Sequence, residues 1–214
     1  MTRKLTLALL LIFMGAMCAN AQTKDITDAK QKQQVINKIN SAAGAIKSIA
    51  CDFVQTKHLK MLNDKMVSNG KMYYRQADKL RWEYTSPYTY TFILNGTKVK
   101  MANNKRTDVI DTKSNKLFKE IAQIMMNSVT GKCLSEKTDF DISIAENKTY
   151  WIVTMVPVKK ELKSMFSKVV LSFNKAESMV HEVNIYEKNN DRTQIALKNI
   201  KTNTTISDAT FSIN

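Results

Sequence analysis

The stretch that decides the fold is Lys79-Leu80-Arg81-Trp82-Glu83-Tyr84-Thr85-Ser86-Pro87. Large apolar side chains alternate in it with charged ones. A period of two is typical of a strand that is buried on one face and solvated on the other. We therefore expect Leu80, Trp82 and Tyr84 to share the buried face of a sheet.

Alternation of the same kind precedes and follows this stretch. Working outward along the chain, apolar residues recur at every second position: Cys51 and Phe53, Met72 and Tyr74, Tyr90, Phe92 and Leu94, Val99 and Met101. Asn95-Gly96 is a two-residue hairpin signal, because these residue types tolerate the positive φ that such turns require. The segments predict neighbouring antiparallel strands.

Further short strands are predicted between Phe140 and Leu197, for a total of about ten or eleven. In residues 150–156 both alternating sets are rich in apolar side chains, so we expect both faces of that strand to be buried. Residues 160–166 predict a short helical turn. Phe211 and Ile213 predict an edge strand that closes the chain.

Helical spacing of apolar residues appears twice. The first helix is predicted from about residue 28 to 48, with Thr27 or Asp28 as its cap. The second is predicted within residues 115–129, with Gly131 as its stop. Its apolar positions are Leu117, Phe118, Ile121, Ile124 and Met125.

The pattern predicts a mainly β (α+β) fold. Strands do not alternate with helices, which disfavours a parallel sheet. A strongly curved antiparallel sheet, or an unclosed β-barrel, with helices covering its open side explains the order of elements best. We find no repeat or linker, so residues 22–214 predict a single domain.

The N-terminus has the features of a secretory signal. Arg3 and Lys4 precede an apolar run, and Ala19-Asn20-Ala21 fits the small-x-small cleavage rule. We therefore expect residues 1–21 to be cleaved and the mature chain to enter the periplasm. Cys18 leaves a lipid-anchored N-terminus as the weaker alternative, because the residues before it suit a lipoprotein signal poorly.

The chain is strongly basic. Its net charge of +14 becomes +12 when Arg3 and Lys4 leave with the signal. The basic residues are spread along the chain, which argues against a nucleic-acid groove and favours weak attraction to anionic lipid head groups.

The sequence contains no motif that indicates catalysis. His58 and His181 stand outside any metal-binding pattern, and neither a nucleophile elbow nor a phosphate-binding loop occurs. We predict that the protein is not an enzyme and uses no cofactor or metal. Cys51 and Cys133 form a candidate disulfide in an oxidising compartment, or are two small buried hydrophobes.

Residues 69–87, continuing to Leu94-Asn95-Gly96, resemble the LolA-like outer-membrane lipoprotein carriers, which are periplasmic lipoprotein chaperones. The shared pattern is a glycine-led strand, an R-W-E-Y-like strand, a proline, and an apolar strand that ends in an N-G or D-G turn. Residues 52–55 are similar to the opening strand of the family, and residues 208–213 are similar to its closing segment.

The resemblance implies a helical lid over an apolar cavity. It also implies a monomeric shuttle that receives lipoprotein acyl chains from an inner-membrane lipoprotein-releasing transporter and brings them to an outer-membrane acceptor or membrane surface. The predicted second helix is the candidate lid. Carried-over positions and strand parity together nominate eight residues as the cavity lining: Phe53, Met72, Tyr74, Leu80, Trp82, Tyr84, Phe92 and Leu94.

One departure from the family pattern marks a divergent branch. The better-known members have an arginine followed by proline on the cavity face, where the arginine helps to latch the lid. Gln76-Ala77 occupy that step here, and parity turns Arg75 outward. Two alternatives stay open: a carrier of another envelope lipid or glycolipid, and an envelope-stress sensor or interaction module on the same fold.

Overall fold

The computed structural model describes residues 23–113, 127, 134 and 140–213. Within these ranges twelve strands form one sheet: β1 (Lys24–Asp25), β2 (Ser48–Leu59), β3 (Asp64–Arg75), β4 (Lys79–Ser86), β5 (Tyr90–Asn95), β6 (Lys98–Asn103), β7 (Thr107–Asp111), β8 (Phe140–Glu146), β9 (Tyr150–Pro157), β10 (Phe166–Asn174), β11 (Met179–Glu187) and β12 (Arg192–Thr202). The described helices are α1 (Ala29–Ala45), α2 (Lys160–Met165) and a 3-10 helix at Asp208–Phe211.

The sheet is antiparallel throughout and does not close on itself. Its strand order is β1-β8-β9-β10-β11-β12-β2-β3-β4-β5-β6-β7, so β1 and β7 are its two unpaired edges. The two halves of the chain meet where β12 pairs with β2, with Leu197 opposite Phe53. The predicted fold class, an unclosed antiparallel sheet with helices, is confirmed.

Helix α1 begins where the sequence predicts. The backbone N–H of Gln31 donates to the Asp28 side chain over 2.7 Å, so Asp28 is the cap. The helix ends at Ala45, three residues earlier than predicted, because Ser48 already belongs to β2. It buries Val35, Ile39 and Ala43 against the sheet.

We call the sheet surface that packs with α1 the inner face. Its side chains form one continuous apolar cluster with the helix, and Phe173, Leu171 and Val153 within it are fully buried. Leu134, from the segment between β7 and β8, joins the same cluster and is also buried. The core of the protein therefore lies on this face.

The opposite surface, the outer face, has a smaller cluster of its own. Ile206 and Phe211 from the C-terminal segment pack there on Ile93 of β5, with Tyr73 of β3 at its margin. The predicted closing edge strand at Phe211 and Ile213 is therefore wrong. The segment forms a 3-10 helix, capped by Ser207, because its apolar side chains bury against the sheet face instead of pairing at its edge.

Strand β9 departs from its prediction too. Its inner side chains Trp151, Val153 and Met155 are buried as expected. On the outer face, however, Ile152 is half-buried and Val156 is 43% exposed. The C-terminal segment covers the outer face at β4 and β5, at the other side of the sheet, so the expectation that both faces of β9 are buried is wrong.

Several predictions fall outside the described residues. They are the cleaved signal over residues 1–21 and the lid positions Leu117, Phe118, Ile121, Ile124 and Met125. Asn127, at the end of the predicted lid, is helical. No helix among the described residues is both long and apolar enough to cross a membrane.

Candidate functional site

All eight residues nominated as cavity lining lie on the inner face. The strand register aligns them in three cross-strand rows: Tyr74, Leu80 and Leu94; Met72, Trp82 and Phe92; Phe53, Gly70 and Tyr84. Six of the eight are buried, and Tyr84 and Phe92 are half-buried. Strand parity and the carried-over positions together thus predicted which side chains the fold brings to one face, and their role in binding stays a prediction.

Three aromatic rings occupy the middle of this surface. The Phe53 ring stacks on Trp82 at a centroid distance of 4.3 Å and meets Tyr84 edge-on at 5.3 Å. Such stacked and edge-on pairs add to the free energy gained by burial. Strands β2 and β4, which both pair with β3, are thereby also joined to each other by side-chain contacts across β3.

The inner face extends further than the eight predicted residues. Val99 stands opposite Leu94 and is fully buried, Met101 stands opposite Phe92, and Ile49 and Cys51 extend the rows across β2. The alternation of Val99 and Met101 with Lys98 and Lys100 is the signal that could have nominated β6 as part of the lining.

Polar atoms within and beside the three rows are few and uncharged at neutral pH. The Tyr84 hydroxyl donates to Gln55 Oε1 over 2.9 Å. Burial raises the pKa of Tyr84 and also that of Tyr74, so both phenols stay neutral. Trp82 Nε1 is buried and has no hydrogen-bond partner. These rows are suited to hydrocarbon. Further along the same face, toward the β2–β3 hairpin, Lys57 and Glu187 form an ion pair at 3.2 Å.

Comparison with known proteins agrees with this architecture. The family described as outer membrane lipoprotein carrier protein LolA matches residues 44–214, which is most of the chain. The chain belongs to the LolA family. The fold is therefore that of lipid- and lipoprotein-binding carriers. A separate comparison with curated proteins found no match to the sequence.

Solved structures with this architecture are distant in sequence. An uncharacterized conserved protein from Thermus thermophilus has a TM-score of 0.53 at 9% identity, covering 85% of this chain and 92% of that one. MucB has a TM-score of 0.51 at 9% identity, with 87% of this chain and 64% of MucB covered. A LolA superfamily protein from Nitrosomonas europaea has a TM-score of 0.44 at 10% identity, with 84% and 96% covered. At such identities the likeness to the Thermus thermophilus protein and to MucB shows the fold alone.

This LolA family member has no arginine at the position where the better-known members carry the arginine that latches the lid. Arg75 points to the outer face as parity predicts, donates to the Ile206 carbonyl over 2.7 Å and pairs with Asp208. Gln76 lies just beyond the end of β3 and is exposed, so its predicted place on the inner face is wrong. Its backbone N–H donates to the Lys47 carbonyl instead.

Cys51 carries a free and buried thiol, and its disulfide with Cys133 stays a prediction that the described residues do not test. Burial, with a smaller contribution from Asp52, raises the pKa of this thiol to about 12. Cys133 lies outside the described residues. Cys51 thus contributes to the inner face as a small hydrophobe, the alternative that the sequence left open.

The two histidines have local partners. His58 Nε2 lies 3.0 Å from Arg192 Nη2, and His181 Nε2 lies 2.7 Å from a Glu177 carboxylate oxygen. Among the described residues no group of three or more His, Cys, Asp or Glu side chains is placed to hold a metal ion.

Proposed function

We propose that this protein is a periplasmic carrier that shields lipoprotein acyl chains against its inner face and carries them from the inner to the outer membrane. The observation that carries the proposal is the apolar surface of β2 to β6, whose three cross-strand rows contain no charged side chain. Membership in the LolA family supports the same function.

The energetics favour a carrier that must open before it loads. Each buried methylene contributes about 0.8 kcal/mol, so a chain of roughly 16 carbons is worth on the order of 12 kcal/mol if it is fully buried. Two or three such chains exceed the net affinity that binding sites deliver, which saturates near about 20 kcal/mol. The surplus is available for rearranging the protein.

The surplus binding free energy can offset the cost of uncovering the inner face. Met72, Leu80 and Val99 are fully buried, so cargo has to displace whatever covers them. Leu134, from the segment between β7 and β8, packs into the same cluster. We propose that this segment is the lid, with Leu117, Phe118, Ile121, Ile124 and Met125 as its apolar positions, and that Ile121, Ile124 and Met125 move out of the cavity when acyl chains enter.

The remaining parts of the proposal come from the sequence and the family. Residues 1–21 direct export and are removed, and residues 22–214 act as one monomeric domain. The partners are an inner-membrane lipoprotein-releasing transporter and an outer-membrane acceptor or the membrane surface. No cofactor, metal or nucleic acid takes part.

Half-buried positions on the inner face offer the sharpest test. Phe92 and Met101 stand opposite each other on β5 and β6, and neither is fully enclosed, so a carboxylate there tests the surface without emptying the core. Ile152 is half-buried on the outer face and serves as the matched control. The wild-type protein and the variants Phe92→Glu, Met101→Glu and Ile152→Glu are purified from the native periplasm.

Mass spectrometry of the purified proteins should find acylated lipoprotein on the wild type and on Ile152→Glu, and much less on Phe92→Glu and Met101→Glu. Equal loading of all four proteins would refute the proposal. Glycolipid in place of lipoprotein would favour the alternative carrier. A lipid-free protein bound to a regulatory protein would favour an interaction module.

A further inference from the structure

The exposed large apolar side chains concentrate at one end of the sheet. At this end β2 leads into β3, β4 leads into β5, and β9 leads through α2 into β10. Among the described residues, all but Val109 of the strongly exposed large hydrophobics lie here: Met61, Leu62, Met66, Val67, Tyr88, Val156, Val158 and Met165. The turns at the opposite end, such as residues 76–78 and 147–149, carry none of them.

The most exposed of these residues occupy the tip of the β2–β3 hairpin, residues 60–63, which we call the hairpin tip. Met61 is 91% exposed and Leu62 is 70% exposed. Isolated apolar residues on a surface are ordinary. Here two exposed apolar residues are adjacent at the apex of a hairpin, and Met66, which follows on β3, is 51% exposed. Together they make the hairpin tip a small apolar surface, the apolar point.

The hairpin tip projects beyond its neighbours. Strand β3 pairs with β4 only as far as Asn69 opposite Ser86, so residues 64–68 run past the last pair. At roughly 3.3 Å per residue that overhang is about 17 Å long. On the other side, β12 follows β2 as far as Arg192 opposite His58, and the tip extends past that pair as well.

The base of the tip is held in place. The Lys60 backbone N–H donates to the Asp191 carboxylate over 2.9 Å, and Asn189 Nδ2 donates to the other oxygen of the same group. Asp191 is buried, in the turn between β11 and β12. The apolar point is therefore presented by a fixed support.

The charges around the tip are mainly positive. Lys60 and Lys65 are exposed on either side of Met61 and Leu62, and neither forms an ion pair with another described residue. Lys57 of β2, three residues before Lys60, forms an ion pair with Glu187 at 3.2 Å. Asp64 is the one acidic residue between positions 57 and 67.

We infer that the hairpin tip docks the protein on an anionic lipid bilayer, with Met61 and Leu62 among the acyl chains and Lys60 and Lys65 at the head groups. An apolar point flanked by lysines is suited to a membrane interface. A protein partner of stable affinity would need about 800 Å² of surface on each side. A narrow projecting tip offers far less than that, but it can enter a bilayer.

Docking in this orientation brings the inner face to the membrane. Leu59 and Met66 occupy inner-face positions of β2 and β3. On β2 the same parity leads inward through Lys57, which pairs with Glu187, and Gln55 to Phe53. The inference goes beyond the proposed carrier function and does not depend on it, because the tip should bind cargo-free bilayers whether or not the inner face holds lipid.

Vesicle flotation tests the docking with the exported, processed chain and no cargo. The vesicles are phosphatidylethanolamine with phosphatidylglycerol, or phosphatidylcholine alone. Wild type should float with the anionic vesicles and much less with the neutral ones. Met61→Ser/Leu62→Ser should lower the partition at least tenfold, and Lys60→Gln/Lys65→Gln should lower it about 25-fold, at fivefold per lysine.

The matched controls lie away from the tip. Val109→Ser removes an exposed apolar side chain on β7, and Lys113→Gln/Lys148→Gln removes two exposed charges at the opposite end of the sheet. Both controls should float like wild type. Thermal unfolding of every variant should match wild type, because none of the changed side chains is buried.

The depth of insertion provides an independent measurement. Leu62→Trp, made in a Trp82→Phe/Trp151→Phe background, should shift its emission to the blue on anionic vesicles and be quenched by lipids brominated on the acyl chain. Val109→Trp in the same background should do neither.

Wild-type flotation that is the same on neutral and anionic vesicles would overturn the inference. So would unchanged flotation of Met61→Ser/Leu62→Ser, an unquenched Leu62→Trp, or absence of flotation together with capture of a membrane protein through the tip. Failure of lipid loading in the Phe92→Glu test, by contrast, would leave this result unaffected.

Discussion

The ring of Phe53 lies directly over Gly70, in the space that a side chain at position 70 would occupy. A Cβ built on Gly70 would stand 2.3 Å from the Phe53 ring and 2.1 Å from the Glu83 carbonyl oxygen. Real Cβ atoms do not approach other atoms this closely, and one of the two obstacles is backbone. The stack of Phe53 on Trp82 therefore depends on the absence of a side chain at position 70.

Gly70→Ala should destabilise the protein by about 3 kcal/mol, because overpacking a well-filled site forces side chains and backbone apart. Urea unfolding followed by circular dichroism measures the loss. Near-ultraviolet signals from Trp82 should change as well, since its stacking partner has to move. A urea midpoint equal to that of wild type would contradict the close packing of Phe53 against position 70.

Gly44→Ala is the matched control and should act in the opposite direction. Nothing lies within 4 Å of a Cβ at this position in the last turn of α1. Alanine in a helix is favoured over glycine by about 0.5–1 kcal/mol, so the unfolding midpoint should rise. A fall would indicate that this turn of α1 is not helical.

The C-terminal segment should detach from the outer face in Arg75→Ala. Arg75 donates to the Ile206 carbonyl, pairs with Asp208 and lies 5.4 Å over the Phe211 ring. The hydrogen bond from the charged Arg75 guanidinium to the Ile206 carbonyl contributes about 1.5–3 kcal/mol. Hydrogen exchange of residues 204–212 should accelerate, whereas that of β9 should not. Equal exchange in wild type and variant would contradict the assignment.

Acid should weaken the same contact only at low pH. Hydrogen bonds from Lys79 and Arg75 lower the pKa of Asp208 below its ordinary value. A lowered pKa in the folded state stabilises docking above the unfolded pKa, and this contribution disappears as the pH falls through the folded one. The protection factor of residues 204–212, which removes the intrinsic pH dependence of amide exchange, should be constant from neutral pH to about 4 and fall below it. A fall near neutrality would point to a different group.

Cys51 should be unreactive in the native protein. Because its pKa is about 12, almost no thiolate exists at neutral pH, and the thiolate is the reactive form. In a Cys133→Ser background, a thiol reagent should label Cys51 only after denaturation. The raised pKa also means that stability falls as the pH rises from about 9 toward 12. Rapid native labelling would show that the inner face opens at Cys51.

Trp82 should report acyl-chain entry directly. Trp82 and Trp151 are the chain's two tryptophans, and both are buried on the inner face. In Trp151→Phe, a lipid brominated on its acyl chain should quench the remaining Trp82. In Trp82→Phe, the remaining Trp151, which lies under Lys38 of α1, should be quenched less. Stronger quenching of Trp151 than of Trp82 would show that acyl chains bind at the β9 side of the sheet instead.

Several features were predictable because they depend on neighbours in the sequence. Alternation placed Leu80, Trp82 and Tyr84 on one face, since a strand turns successive side chains to opposite sides. Asp28 caps α1 within a single turn of the helix, and Asn95-Gly96 forms its turn with Gly96 at a φ of 61°.

Other features escaped prediction because they depend on distant parts of the chain. The hydrogen bond between Arg75 and Asp208 joins residues that are 133 positions apart. No local pattern shows that residues 208–211 will coil onto the outer face instead of extending at an edge. The exposure of Met61 and Leu62 likewise depends on where β4 and β12 stop, which is a property of other strands.

The sequence by itself determined which side chains face inward, because the pleat of a strand converts periodicity directly into sidedness. The tertiary structure decided what covers each face. Helix α1 and Leu134 pack on one face, and Phe211 packs on the other. These contacts depend on which distant segments exclude water best once the whole sheet has formed. No single segment contains that information.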